Sequence, residues 1–445
     1  MMVGDKTGQA VGRGALRTFC VSGMGTALEF YDFVIYGYAA ALVFPQVFFP
    51  GMDKLVATLI AFAAFGTGFF ARPVGGMVFG HFGDKYGRQK VLVATLLLMG
   101  ASTFLIGCLP GYGSIGVAAP ALLVVLRLIQ GFAAGGEWGG AALFGIEQAP
   151  EGRRGLWGSF TSMGIGIGFL LGAGVFAIIS EATNNQLADF AWRIPFWLGG
   201  LLVLVGMYAR MRNLGQHGDS HAKAGKLPLL EVLRHHPRAL LLSAGVAFGY
   251  ITIAYIGSTF LVSYATQLGY SDAQSLVFDL INSATIIVSA PLCGHLSDKY
   301  GRKPVMIFGA VAMAAWFFAF FPLVQLKQWE LTLFAYGMVG VLMGVTQGPI
   351  PAFLGEQFPR RVRYSGISSA YQLGAALGGG TASSIATAIL ILTNKSPLGV
   401  ALYGAAALAL LALCSYGLRE TARLSLQDID EQQPARPRAT RPASA

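Results

Sequence analysis

The sequence predicts an all-α membrane protein of twelve transmembrane helices arranged as two similar six-helix bundles. Three observations carry this. Only 12% of the 445 residues are charged, about half the ~25% usual in a soluble domain, while 54% are hydrophobic and the mean hydropathy is +0.60. Apolar runs of about 20 residues, each enough to cross a hydrocarbon core of ~30 Å, recur along the chain. An eleven-residue polar segment occurs twice, once in each half. A soluble enzyme of this length needs a charged shell that this chain does not have.

The runs lie at 19–44, 55–79, 91–109, 119–146, 157–180, 194–211, 240–266, 275–296, 305–324, 331–355, 366–392 and 398–418. The 60 glycines suit them, since small residues let membrane helices approach closely. The first eighteen residues form a polar tail, and the first apolar run is too long for a signal peptide, so it is expected to stay in the protein. The even number of spans puts both ends on one side, and the placement of Lys and Arg says which. The tail, the loops after spans 2, 4, 8 and 10, the middle segment and the C-terminal stretch together hold 25 of the 31 basic residues. Both termini are therefore expected in the cytoplasm, in a bacterial-type inner membrane. The net charge of +10 forms no basic stripe with interleaved aromatics, which argues against nucleic acid. Cys20, Cys108, Cys293 and Cys414 lie far apart inside apolar segments and read as small packing residues.

The repeat sets the architecture. Gly80-His-Phe-Gly-Asp84-Lys-Tyr-Gly-Arg88-Gln-Lys90 returns as Gly294-His-Leu-Ser-Asp298-Lys-Tyr-Gly-Arg302-Lys-Pro304, with seven of eleven positions identical and an offset of 214 residues. Each copy follows the second span of its half. A weaker echo joins Glu147-Gln-Ala-Pro150 to Glu356-Gln-Phe-Pro359. The expected organisation is a tail (1–18), a first bundle (19–211), a polar cytoplasmic connector (212–239), a second bundle (240–418) and a disordered cytoplasmic tail (419–445). Two halves repeated about an axis along the membrane normal are a transporter arrangement, with the solute held between them near the midplane.

The duplicated Gly-His-x-x-Asp-Lys-Tyr-Gly-Arg element resembles the loop signature of the major facilitator superfamily. Glu29-Phe-Tyr-Asp32-Phe, Arg72-Pro-Val-Gly-Gly76, Arg127-Leu-Ile-Gln130-Gly-Phe-Ala-Ala-Gly-Gly-Glu137-Trp-Gly-Gly140, Trp192-Arg-Ile-Pro-Phe196, and Arg363-Tyr-Ser-Gly366 leading to Tyr371-Gln372 resemble its metabolite:proton symporter group. That group includes shikimate, α-ketoglutarate, citrate and proline/betaine carriers, and the first half looks nearest to the shikimate type. The resemblance implies a latch in which Asp84, Asp298, Arg88, Arg302, Glu147 and Glu356 hold the cytoplasmic gate shut. Physically, the two aspartates sit at helix ends, where a carboxylate can cap a neighbouring helix N-terminus. The alternative is that these basic loops only set topology.

Few acids remain inside the spans: Glu29, Asp32 and Glu137, with Asp279 nearer an end. A charge at the bilayer centre costs about 2.5–3.5 kcal/mol on insertion scales, so such residues face a bundle interior or a cavity. Glu29, Asp32 and Tyr36 share one helix face. Two acids so close disfavour double ionisation, so one of them, Asp32 first, can carry a proton. The structural alternative is an inward acid paired with a base. Arg127 is the natural partner, with Gln130 one turn on along the same face. Either Arg127 clamps the solute's acidic group while Asp32 or Glu137 titrates, or it only neutralises the acids. The second half offers neutral groups: Tyr255, Asn282, Gln347, Tyr371 and Gln372, besides Tyr264. The Gly-Pro-Ile-Pro run at 348–351 is placed to break span 10.

No phosphate-binding Gly-x-x-x-x-Gly-Lys-Ser/Thr motif occurs, and the spans hold no His/Cys metal cluster and no nucleophile–His arrangement. The expectation is a monomeric, non-enzymatic carrier with no cofactor, driven by the proton gradient. It would import a shikimate-like or di/tricarboxylic acid by alternating access. The alternatives are a carrier for proline or betaine and a metabolite sensor that moves nothing.

Overall fold

The computed structural model of the protein describes residues 14–16, 18–86, 88–135, 137–214 and 228–431. Among them there is no strand, and the helices fall where the apolar runs lie. The first half has α1 (Met24–Leu42, entered through a π turn at Phe19–Gly23), α2 (Lys54–Tyr86), α3 (Arg88–Cys108), α4 (Ala118–Glu147), α5 (Arg154–Ala182) and α6 (Arg193–Leu214). The second has α7 (Pro237–Gln267), α8 (Asp272–Tyr300), α9 (Arg302–Gln325), α10 (Trp329–Gly355), α11 (Arg363–Leu392) and α12 (Leu398–Gly417). Ten of these are long and apolar enough to span a bilayer by themselves. The other two are α1, whose 19 residues include Glu29 and Asp32, and α3, whose apolar part is Val93–Cys108.

Four of the twelve are interrupted. α4 breaks between Ala133 and Glu137, and α10 breaks at Gly348–Pro349, where proline cannot donate to the preceding turn. The two breaks lie at corresponding places of the repeat. α7 contains a π turn at Ile256–Phe260, and α11 is split between Leu377 and Ala382. A second echo is visible only in three dimensions. α5 ends in Asn184 and Asn185 and α11 ends in Asn394 and Lys395, each pair with positive φ.

Within the first half, α1 packs on α5, α2 on α4 and α3 on α6. Within the second, α7 packs on α11 and α12, and α8 on α10. The halves meet along α5–α8 and α2–α11. They touch at both ends. At the end bearing the repeated loops, Asp298 accepts hydrogen bonds from the Gly155 and Leu156 amides at 2.7 and 3.0 Å. At the opposite end the Ala273 amide donates to Asn185 Oδ1 at 3.3 Å. Between them Asp32, Arg127, Gln130, Asp279 and Asn282 are all completely buried. The conformation is closed to both sides.

Two expectations are corrected here. The connector is not simply polar: Pro228–His235 is a helix whose Val232 is buried against Phe358 and Val362, while Arg361 pairs with Glu231 at 2.5 Å. The last stretch is not wholly disordered either. Residues 419–431 pack on the same end of the molecule with Thr421, Ala422 and Ile429 buried, and Leu426–Glu431 is helical. The rest of the tail and residues 215–227 lie outside the described residues. The four cysteines are free, with Cys20 and Cys108 exposed on the helix surface rather than packed inside.

Candidate functional site

The buried charges gather in the first half around α1. Glu29 and Asp32 are one turn apart but turn to different helices. Glu29 pairs with Arg72 of α2 at 3.1 Å, both almost completely buried. Asp32 Oδ2 faces the Thr103 hydroxyl of α3 at 3.1 Å, and that hydroxyl shares its proton with the Met99 carbonyl at 3.0 Å. Thr103 accepts from Gln130 Nε2 at 2.7 Å, and Gln130 Oε1 accepts from Arg127 Nη1 at 2.5 Å. Asp32 and Arg127 are thus linked through Thr103 and Gln130. The sequence made Arg127 the partner of the acids; Glu29 pairs with Arg72, while Asp32 remains within electrostatic reach of Arg127.

Arg127 is held from several sides. Its Nε donates to the Phe65 carbonyl at 3.1 Å. Its guanidinium carbon lies 4.2, 4.5 and 4.6 Å from the ring centres of Phe33, Tyr36 and Phe65, within cation–π range. Arg72 lies 3.7 Å from the centre of the same Phe33 ring. Nη2 of Arg127 is buried and has no hydrogen-bond partner among the described residues, and the same holds for the hydroxyls of Tyr36 and Tyr255. Tyr255 enters from the second half and packs on Phe65 and Phe69 at 5.4 and 5.0 Å, which brings it into electrostatic reach of Arg127. Unpartnered polar groups in so dry a place are rare in folded proteins and point to a ligand.

The other expected residues of the second half are spread more widely. Asn282 donates to Asp279 at 2.9 Å and to the Gly257 carbonyl at 3.3 Å. Gln347, just before the α10 break, exchanges two hydrogen bonds with the Ser162 backbone and hydroxyl at 3.2 and 2.8 Å. Tyr371 stacks flat on Trp138 at 3.7 Å, and Gln372 donates to the Gly135 carbonyl at 2.8 Å. Tyr250 and Tyr371 also come within electrostatic reach of the Glu29–Arg72 pair. The Gln347, Tyr371 and Gln372 contacts join the halves on the side of the repeated loops, whereas those of Asn282 stay within the second half.

At the closed end itself, Arg302 binds Asp298 at 2.6 Å and Ser297 at 2.8 Å, and it reaches Glu356 at 3.3 Å. Glu356 also meets Arg154 of the first half at 3.3 Å and the Thr421 hydroxyl at 2.5 Å. Gly294 is pressed so closely to the Gly155 carbonyl and Ser159 that a side chain there would collide. Glu147 is exposed at the end of α4. Gly80, Asp84 and Arg88 lie in α2 and α3, and Glu137 opens the second part of α4, but their side chains lie outside the described residues. Thr103, Trp138, Tyr38 and Tyr250 escaped sequence reading: a hydroxyl or ring in an apolar run carries no signal until its partner helix is known.

These features fit what known proteins resemble this chain. The family model described as Major Facilitator Superfamily matches residues 24–383 and again 279–442. The chain is 40% identical over 402 residues to the inner membrane metabolite transport protein YhjE of Escherichia coli (strain K12), covering 88% of this chain and 91% of that one. It is 35% identical to the shikimate transporter of the same organism, covering 92% and 95%. It is also 35% identical to the glycine betaine/proline/ectoine/pipecolic acid transporter OusA of Dickeya dadantii (strain 3937), covering 82% and 75%. Among solved structures, a D-xylose–proton symporter matches with a TM-score of 0.67 at 18% identity, covering 89% of this chain and 96% of that one. The chain is a membrane transporter, not an enzyme, and it belongs to the major facilitator superfamily.

Proposed function

We propose that the protein is a proton-coupled symporter that imports a small organic acid, shikimate-like or a di- or tricarboxylate, by alternating access between its two halves. The observation that supports this most is the chain Arg127–Gln130–Thr103–Asp32 with Nη2 of Arg127 left over. A guanidinium matches a carboxylate in two places and keeps its charge at any physiological pH. Tyr36, Tyr255 and Gln130 supply neutral donors around it. Asn282, Gln347, Tyr371 and Gln372 line the seam between the halves.

The coupling follows from charge. Arg72, Arg127, Glu29 and Asp32 sum to zero with both acids ionised. A proton on Asp32 leaves this quartet at +1, and an incoming carboxylate returns it to zero. Either ligand alone leaves a net charge in a dry core, where an uncompensated charge is costly. Closure is therefore favourable empty or with both ligands, which is the rule a symporter needs. Glu137 and Glu29 are the further acids that can share the proton.

In this reading the loops rich in Lys and Arg face the cytoplasm, with the Asp298–Arg302–Glu356 cluster, and its counterpart at Asp84, Arg88 and Glu147, forming the gate on that side. The protein sits in a bacterial inner membrane as a monomer. The likeness to OusA supports a second reading, a zwitterionic osmolyte as solute, with Trp138, Tyr250 and Tyr371 offering ring faces to a quaternary amine. The test is purified protein in liposomes with an inward proton gradient and labelled shikimate, α-ketoglutarate, citrate, proline and betaine. Acid-stimulated accumulation of one of the acids, abolished by collapsing the gradient, is the expected result. Accumulation of betaine or proline alone selects the second reading, and accumulation that ignores the gradient overturns proton coupling.

A further inference from the structure

One buried acid is left unused by that scheme. Asp279 lies on α8, seven residues from its start and so about 10 Å in, and it is completely buried. Its Oδ2 makes a short hydrogen bond with the hydroxyl of Tyr38, which belongs to α1 of the other half. Its Oδ1 accepts from Asn282 Nδ2 at 2.9 Å. Tyr38 stands two residues from Tyr36 and points to the opposite side of α1, away from Arg127 and toward α5 and α8. The Asp279–Tyr38 pair is therefore a separate cluster, spanning the seam between the halves on the side away from the repeated loops.

We infer that Asp279 is a second proton-binding site, in the C-terminal half, which takes up a proton each time α1 and α8 close on one another. Among the described residues no Lys or Arg acts on Asp279 itself. The titratable groups that face it are Tyr38 from α1 and Tyr336 from α10, with Tyr255 of α7 facing Tyr38 in turn. α5 and α7 present backbone carbonyls, those of Phe169 and Gly257. Glu181 and Asp272 lie further out, on α5 and at the start of α8, where Lys54 of α2 acts on Asp272 rather than on Asp279. A lone carboxylate in such a place is expensive, and a proton removes that cost.

The geometry accommodates the proton without rearrangement. In the ionised form Tyr38 and Asn282 both donate to the carboxylate. In the neutral form the proton sits on Oδ2 and is donated to Tyr38 Oη, whose own hydrogen turns to the Phe169 carbonyl 3.4 Å away. When α1 and α8 separate, Asp279 loses Tyr38, meets water and releases the proton. One proton is bound on closing and one is released on opening. Acid therefore favours the closed form and alkali the open one.

The inference extends the proton-coupled reading but is tested without any solute, so the two fail separately. Ile178 of α5 and Gln274 of α8 are exposed near that end. Nitroxide labels on Ile178→Cys and Gln274→Cys, in a full-length chain with the four native cysteines replaced, report the separation in liposomes. The expected result is a longer-distance population that grows from acidic to mildly alkaline buffer, lost in Asp279→Asn, which stays at the short distance throughout. Asp279→Glu, which keeps the acid, retains the pH response with a displaced midpoint. Should Asp279→Asn fail to fold, the infrared spectrum of the wild type minus that of Asp279→Glu is expected to show a displaced protonated-carboxyl band in acid. An unchanged pH response in Asp279→Asn, no pH response in the wild type, or no displaced band overturns the inference. Gradient-driven uptake with no role for Asp279 leaves the symport reading intact.

Discussion

At the scale of single residues, the proposed chemistry turns on the arginines, and they are not equivalent. Arg72 pairs through Nη2 with Glu29, leaving Nε over, whereas Arg127 is fixed through Nε and Nη1 by the Phe65 carbonyl and Gln130 and keeps the terminal Nη2 without a hydrogen-bond partner among the described residues. Arg127→Lys therefore keeps the charge and loses the fork. Hydrogen bonds to charged groups contribute about 1.5–3 kcal/mol, so uptake of the labelled solute is expected to fall roughly 10- to 100-fold. The same substitution at a purely neutralising arginine leaves uptake within a few fold, so initial rates in liposomes separate the two roles of Arg127. Sequence reading found Arg127, Gln130, Asp32 and Glu29, because a charge or amide inside an apolar run stands out by cost alone. It did not foresee the Glu29–Arg72 pair, because the two are far apart in sequence and meet only through helix packing. Thr103 was invisible for a related reason: a threonine is common in any helix, and only the approach of Gln130 and Asp32 gives this one its role.

At the scale of elements, the glycines do two jobs. Gly131 and Gly135 seat α4 on the backbone of α2, Gly164 and Gly168 seat α5 on α1, and Gly374 and Gly378 seat α11 on α7. These are contacts inside one half, and they fix each bundle rather than let the halves slide. Gly66 is different. It lies in α2 against the carbonyl of Gly380, where α11 is interrupted, and a Cβ there would overlap that carbonyl. Gly66→Ala therefore leaves each bundle intact but wedges the halves apart at α2–α11, with an overpacking cost of about 1–3 kcal/mol borne by the closed form alone. The expected outcome is a folded protein with more open population and slower exchange of solute. Maleimide labelling of a cysteine introduced at Tyr255 checks it: labelling faster than in the Gly66 parent is expected, and equal rates reject the wedge. The number and order of helices were legible from hydropathy and the loop repeat. The breaks in α4 and α11 were not, because glycine in a membrane helix is as often a packing residue as a breakpoint.

At the scale of the molecule, closure of the end bearing the repeated loops centres on one carboxylate. Glu356 sits between Arg302 of its own half and Arg154 of the other, and it accepts from Thr421 of the C-terminal segment. That segment adds Glu420 on the amides that begin α9 and Asp430 on Arg363. Two arginines brought together need the carboxylate between them, and removing one partner of a buried pair typically costs about 3–5 kcal/mol. Part of that cost is avoided if the halves separate and the guanidiniums reach water. Glu356→Gln therefore destabilises the closed form specifically, whereas loops that merely set topology respond to neither this change nor Arg302→Lys. Nitroxide labels on Glu151→Cys and Arg360→Cys, exposed in the loop after α4 and the loop after α10 and so in different halves, give the measurement. Both variants are expected to shift the distance distribution toward the longer population without salt, and added salt is expected to shift the wild type only slightly, since the network is buried and poorly screened. Distributions identical to wild type in both variants would leave Asp298, Arg302 and Glu356 with no part in the gate, and would return the repeated loops to a role in membrane orientation alone.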